Sequence, residues 1–120
     1  MDFINEFGFD VLKGKGREFQ GWLRENEKTL AQEAPEGWEY IGTYAAVVST
    51  EKAAGDYRQL WRHHSYGAMD AWAEEMQKDT PFARLVDETG RRFIDQERGA
   101  RFSQTVMKAV IDASIWGEEE

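Results

Sequence analysis

Apolar and polar residues alternate along four segments of the chain and recur with helical spacing in the segments between them. Alternation with a period of two is typical of strands. It covers residues 3–12, 38–49, 56–64 and 101–111. The last of these segments also fits a short helix. Apolar residues spaced three and four apart predict helices over residues 17–34 and, with an interruption, over residues 67–97.

Proline, glycine and capping residues mark where these elements end. The Pro-Glu-Gly turn at residues 35–37 ends the first helix, because proline and glycine rarely continue one. Thr80 followed by Pro81 predicts a new helix start, with threonine as the N-cap and proline at the first helical position. Ser65 is the predicted N-cap of the helical segment after the third strand. The second helical region is therefore expected to be broken in two.

The alternation also assigns each strand side chain to one of two sheet faces. In the third strand His63 shares a face with Trp61, whereas His64 lies on the opposite face with two arginines. The set containing His63 is richer in aromatic and hydrogen-bonding groups, so His63 is predicted to be the more buried histidine. In the second strand, uninterrupted alternation places Tyr40 and Tyr44 on the same face.

This order of elements predicts an α+β fold of the ferredoxin-like βαββαβ type. Two βαβ-like halves joined by a hairpin give a four-stranded antiparallel sheet, and right-handed crossovers put the helices on one face. We expect one domain over residues 1–116, followed by an acidic tail at residues 117–120. The other sheet face then has no cover within the chain, which predicts a homodimer whose two sheets enclose a barrel.

Charge and composition narrow the possible partners. The 120 residues carry a formal net charge of −8, so binding to nucleic acid or to an anionic membrane surface is not expected. The chain has no cysteine, and adjacent strand histidines point to opposite faces, so neither a metal site nor a cofactor is predicted. It has no apolar run of membrane-spanning length and no signal sequence at its start, which predicts a cytoplasmic protein.

The pattern resembles the dimeric α+β barrel superfamily over nearly the whole chain. The features that carry the resemblance are the first strand from residue 3, Phe19 and Trp22 in the first helix, the turn at 35–38, the strand segment 40–44, the strand end 60–62 and the Ala-Trp pair at 71–72. That superfamily includes haem-degrading and quinol-forming monooxygenases, dehydratases, cyclases, isomerases and proteins of no known activity. The resemblance therefore implies a fold and leaves the function open.

Two residues resemble positions that haem-degrading members of the superfamily place beside the haem. Asn5 resembles their asparagine on the first strand, and Trp72 resembles their tryptophan on the second helix. The histidine that those enzymes need farther along has no counterpart, because residues 82–87 read Phe-Ala-Arg-Leu-Val-Asp. A haem-binding monooxygenase is therefore the third of our hypotheses. A polar strand residue for Asn5 and core packing for Trp72 are the alternative interpretations.

The leading hypothesis is a small-molecule-binding protein. Its ligand-binding candidates are Asn5, Trp38, Tyr57, Trp61 and Trp72. If the protein is a cofactor-independent enzyme acting on an aromatic or polyketide-like compound, His63 is the predicted general base, with Tyr40 or Tyr44 as the orienting donor. The second hypothesis is a non-catalytic homo-oligomeric assembly protein in which the strand aromatics form only the dimer seam, and His63 is merely a polar strand end.

Overall fold

The computed structural model describes residues 2–97 and 101–111, apart from the side chain of Lys52, and within them the chain forms one sheet and a helical layer. The strands are β1 (Phe3–Phe9), β2 (Trp38–Ala45), β3 (Tyr57–His63) and β4 (Phe102–Lys108), and the helices are α1 (Gly16–Gln32), α2 (Gly67–Glu75) and α3 (Pro81–Arg92). A short 3₁₀ turn, Lys52–Ala54, lies in the loop between β2 and β3. The predicted order of elements is confirmed, and the last segment is a strand.

The four strands form an antiparallel sheet in the order β2-β3-β1-β4. The three helices lie on the same face of this sheet. Phe19 of α1 meets Phe9, and Phe82 of α3 meets Trp61, in edge-to-face contacts. Trp72 of α2 packs against β1 as well. The predicted ferredoxin-like α+β architecture, with its helices on one face, is therefore confirmed.

The break between the two later helices is built as its sequence predicts. The Thr80 hydroxyl accepts a hydrogen bond from the Ala83 amide at 3.1 Å, and Pro81 takes the first helical position. The start of α2 differs from the prediction. Tyr66, rather than Ser65, precedes the helix, and no side chain caps it, because the Ser65 carbonyl accepts the Ala68 amide in a turn.

A bulge in β2 makes one of the predicted face assignments wrong. Tyr40 pairs with Trp61 and Gly42 pairs with Leu60, so one residue is inserted between the two pairs. An inserted residue turns every later side chain to the opposite face. Tyr44 therefore pairs with Arg58 on the face away from the helices and is half exposed, whereas Tyr40 stays on the helical face.

The sheet face away from the helices is more polar than expected. Arg58 forms an ion pair with Glu6 at 2.9 Å, and Arg62 forms longer pairs with Asp2 and Glu39. Part of this face is also covered by the loop between β2 and β3, where the Ala54 carbonyl accepts the hydroxyl of a β4 serine. The aromatic side chains Trp38 and Trp61 are buried beneath the chain's own helices instead of forming a seam on this face.

Two further predictions concern the end of the domain and the absence of a membrane-spanning segment. The expected domain end at residue 116 and the acidic tail at 117–120 lie outside the described residues. Within the described ranges, no helix combines the length and the apolar character that crossing a bilayer requires.

Candidate functional site

A cavity of about 300 Å³ lies between the sheet and the helices. The sheet contributes Phe7, Phe9, Gln59 and Phe102 to its wall, and the helices and the residues that follow them contribute Leu30, Trp72, Met76, Val86, Thr89 and Ile94. Its volume falls at the lower end of the range that small-molecule sites occupy. Among the described residues no charged side chain lines it, so the space is suited to neutral, mainly apolar groups.

The polar side chains of the cavity wall are Gln59, Thr89 and Trp72. The Thr89 hydroxyl donates to the Leu85 carbonyl at 2.8 Å, which commits its proton to the helix. The amide of Gln59 is held by two hydrogen bonds, one from the Trp61 indole and one to the Thr43 hydroxyl. The cavity therefore combines a large apolar surface with a fixed amide on the sheet.

The predicted ligand-binding residues are distributed around this cavity. Trp72 lines the cavity directly. Asn5 is fully buried next to it on β1, where its side chain bonds to Gln104 at 3.4 Å and contacts the Met69 sulfur at 3.9 Å. Tyr57, at the start of β3, contacts the rings of Phe9 and Phe19 on the helical face of the sheet.

Trp38 and Trp61 belong to an aromatic cluster that contacts the cavity wall through Trp72. Trp61 is 0% exposed and makes edge-to-face contacts with Trp38, Tyr40, Trp72 and Phe82. The Trp38 indole N–H donates to the Ala68 carbonyl at 2.6 Å, which ties β2 to the start of α2. Neither indole is free to donate to a ligand.

His63 occupies an apolar niche outside the cavity. Its ring stacks on Phe3 at 5.1 Å and meets Trp38 at 4.4 Å between ring centroids. It lies four residues beyond Gln59 on β3, roughly 13 Å along the strand. The side chain is 0% exposed whereas that of His64 is exposed, so the predicted order of burial is confirmed.

The tautomer of His63 follows from its neighbours. The Ser65 carbonyl lies 3.1 Å from Nδ1 and requires a proton there, so Nε2 carries the lone pair. Nε2 is buried and has no hydrogen-bond partner among the described residues. Burial holds the pKa of His63 below its ordinary value, against the raising effect of the Ser65 bond and with a lowering contribution from His64. The imidazole is therefore a neutral core group at neutral pH.

We expect this buried imidazole to make folding less favourable in acid. Below about pH 6.5 His63 binds a proton more readily in the unfolded chain than in the folded protein. The free energy of unfolding therefore falls as pH falls, by at most about 1.4 kcal/mol per pH unit from this group. In His63→Phe this part of the pH dependence disappears. Urea unfolding of the wild type, His63→Phe and the exposed control His64→Phe between pH 5 and 8 measures it. Equal slopes for the wild type and His63→Phe would contradict the assignment.

The two predicted tyrosine donors have different environments. The Tyr40 hydroxyl is hydrogen-bonded to Glu27 at 2.8 Å and to Thr43 at 2.6 Å. Tyr44 is 51% exposed on the opposite sheet face because of the bulge in β2. The arrangement therefore brings neither hydroxyl, nor His63, to the wall of the cavity.

Comparison with known proteins yields structural similarity only. No protein-family profile and no curated protein sequence matches the chain. An uncharacterized NIPSNAP-like domain protein from Burkholderia xenovorans superimposes with a TM-score of 0.63 at 11% identity, covering 90% of this chain and 84% of its own. A NIPSNAP family protein from Agrobacterium tumefaciens gives 0.61 at 13% identity, covering 90% and 92%. A DABB family protein with a ferredoxin-like fold from Mesorhizobium loti gives 0.60 at 10% identity, covering 91% and 97%.

The chain shares the ferredoxin-like α+β fold of these proteins. The matches span about nine-tenths of the chain, so the shared architecture extends over both βαβ halves. Sequence identities of 10–13% to these proteins establish a shared fold and say nothing about a shared activity.

Haem, which some members of the superfamily bind, does not fit this cavity. The chain has two histidines, and neither reaches the wall: His63 lies in the niche beside Phe3, and His64 bonds to Asp2 at the surface. The residues that α3 contributes to the wall are Val86 and Thr89, neither of which is a usual haem ligand. Nowhere in the described ranges do three acidic or histidine side chains come together to hold a metal ion.

Several wall residues were not among the sequence candidates. Phe7 lies on the same strand face as Asn5, and Gln59 on the same face as Tyr57 and Trp61. Val86 and Thr89 belong to the apolar stripe of the last helix. The signal for their inward orientation was therefore present. What the pattern could not indicate was that these particular residues surround an open volume.

Proposed function

We propose that this protein binds a small, neutral and largely apolar molecule between its sheet and its helices. The observation that carries the proposal is the cavity of about 300 Å³. Native cores are packed to near-crystalline density and rarely leave a space of this size unused. The aromatic side chains Phe7, Phe9 and Trp72 favour a ligand with a flat ring. The proposal is one of binding; the general-base role predicted for His63 is not part of it.

Filling part of the cavity should weaken this binding. We expect N-phenyl-1-naphthylamine, whose emission rises in apolar surroundings, to bind the wild type saturably with one probe per chain. Val86→Phe places a larger side chain in the wall and should weaken binding about tenfold or more, which corresponds to about 1.4 kcal/mol. Fluorescence titration measures both affinities.

The matched control makes the same change on the surface. Val47 is 95% exposed in the loop after β2, so Val47→Phe should bind the probe like the wild type. An equal loss in both variants would show that the probe does not enter the cavity. No saturable binding to the wild type, for this probe or for a panel of neutral aromatics, would remove the proposed function.

We also propose that the functional unit is a homodimer. Among the described residues β4 is an edge strand, and it leaves apolar side chains exposed on both faces, with Phe102 at 62% and Met107 at 44%. A second copy would cover these side chains. Light scattering at micromolar concentration should give about twice the 13.9 kDa of one chain, and Met107→Glu should shift the mass towards that of the monomer. A wild-type monomer would refute the dimer without affecting the proposed cavity.

A further inference from the structure

Gln59 is the polar side chain of the cavity whose position the surrounding structure fixes most firmly. It lies on β3 between Phe7 of β1 and Thr43 of β2, on the helical face of the sheet. Its amide bonds to the Trp61 indole on the same strand and to the Thr43 hydroxyl on β2, which leaves it little freedom to rotate. A polar group that is held in this way inside an apolar wall can select ligands by hydrogen bonding.

The orientation of the Gln59 amide is settled by its neighbours. The Trp61 indole nitrogen lies 2.8 Å away and can only donate, so the amide atom facing it is the oxygen. The amide nitrogen then points to the Thr43 hydroxyl, 3.2 Å away, and donates one of its two protons there. Donation from Trp61 to the carbonyl oxygen polarises the amide and strengthens its N–H groups as donors.

The hydrogen bonds beyond Thr43 fix which group donates and which accepts in each bond of this network. Thr43 bonds to the Tyr40 hydroxyl, and Tyr40 donates to the Glu27 carboxylate, which can only accept. Burial is the main reason that the pKa of Tyr40 lies above its ordinary value, with Glu27 adding to it, so the phenol keeps its proton. Each hydroxyl therefore donates towards Glu27, and Thr43 must accept from Gln59.

One N–H of Gln59 remains unused in this network. We infer that this N–H recognises a carbonyl oxygen on an otherwise apolar ring compound, so that the cavity prefers a neutral aromatic ketone or quinone to the corresponding hydrocarbon. The inference rests on the proposed function, since it requires that a ligand enters the cavity. Uncharged acceptor chemistry fits a wall that has no charged side chain among the described residues.

The other polar wall groups complement this donor without replacing it. The Thr89 hydroxyl already donates its hydrogen bond to the Leu85 carbonyl, so it can only accept a hydrogen bond from a ligand. Trp72 carries an indole N–H, but its ring is set by contacts with Phe7, Trp61 and Phe82 rather than by hydrogen bonds. Gln59 is therefore the donor whose direction is determined before a ligand arrives.

A matched pair of probes tests the inference. 1-Tetralone and tetralin share a bicyclic skeleton and differ in the ketone oxygen. Calorimetric titration should show that Gln59→Met weakens 1-tetralone binding about tenfold while tetralin binding changes little, as expected for the loss of one hydrogen bond. Gln20→Met makes the same change at an exposed position of α1, outside the cavity wall, and should alter neither affinity. Infrared spectra of wild-type-bound 1-tetralone should show the carbonyl stretch at lower frequency, and this shift should be absent in Gln59→Met.

The outcomes separate this inference from the proposed function. If both probes bind the wild type and Gln59→Met weakens them equally, Gln59 is not the recognition group, although the cavity still binds ligands. If neither probe binds a wild type that still binds N-phenyl-1-naphthylamine, this inference fails and the proposed function stands; if none of these probes binds, both fail. Should Gln59→Met not fold, Gln59→Glu keeps the oxygen that accepts from Trp61 and removes the N–H donors, and it should show the same selective loss. An unshifted carbonyl band on the wild type would overturn the inference without any variant.

Discussion

Trp61→Ala is expected to cost about 3–5 kcal/mol of stability, which is the usual range for removing a large aromatic side chain from a core. Trp61 is 0% exposed, and its ring contacts Tyr40 at 4.9 Å, Trp72 at 5.3 Å and Phe82 at 5.7 Å between centroids. These neighbours come from β2, α2 and α3, so no single element can move in to fill the space. The substitution also leaves the Gln59 oxygen without its donor.

Urea denaturation followed by circular dichroism measures this loss. Domains of this size are typically stable by about 5–15 kcal/mol, so the variant should unfold at a much lower urea concentration or be partly unfolded without urea. Tyr44→Ala, which truncates an aromatic side chain that is half exposed on the other sheet face, is the control and should cost less than about 1 kcal/mol. Comparable losses in the two variants would refute the central position assigned to Trp61.

Trp61→Phe separates the packing role from the hydrogen bond. Phenylalanine keeps most of the apolar contacts and loses the indole N–H, so this variant should retain more stability than Trp61→Ala. Because the Gln59 amide is then free to rotate, we expect 1-tetralone to bind more weakly while tetralin binds nearly as before. If the variant folds stably and its preference for 1-tetralone is reduced, the aromatic cluster contributes to ligand recognition.

The sequence pattern predicted the faces of two strands correctly and of one strand in part, and the reason is local. β1 and β3 alternate without interruption, so Asn5 and His63 lie inward as expected. β2 follows the pattern only as far as Tyr40, because a residue is inserted before Gly42. A bulge changes no hydrophobic residue into a polar one, so alternation alone cannot reveal it.

The cavity depends on residues too far apart for any local pattern to combine. Its wall runs from Phe7 to Phe102. On the inward stripe of α3, the small side chains Val86 and Thr89 lie between Phe82 and Phe93, and they leave a space that larger residues would fill. The stripe itself predicts which residues face the sheet, whereas the open volume results from how three helices and four strands pack together.

Gly55 determines where β3 begins, and its replacement should have the second large effect. Its backbone has φ of 91° and ψ of 165°, a region that is essentially restricted to glycine. A Cβ atom at this position would lie 2.6–2.8 Å from main-chain atoms of Phe9. The Phe9 backbone cannot give way easily, because it is paired with Tyr57 on one side and Phe102 on the other.

Gly55→Ala is therefore expected to cost about 3 kcal/mol or more, the sum of backbone strain and steric overlap. Gly14 is the matched control, since it also has a positive φ of 83° but has nothing within 4 Å of its Cβ position, and Gly14→Ala should cost only about 1–2 kcal/mol. The difference between the two variants in urea unfolding gives the contribution of the contact with Phe9. If Gly55→Ala folds by shifting β3 by one residue, Gln59 moves to the opposite sheet face, and 1-tetralone should lose its advantage in the folded variant. Equal losses for the two alanine variants, with ligand preference intact, would show that the loop adapts and that Gly55 does not set the register of the strand carrying the recognition amide.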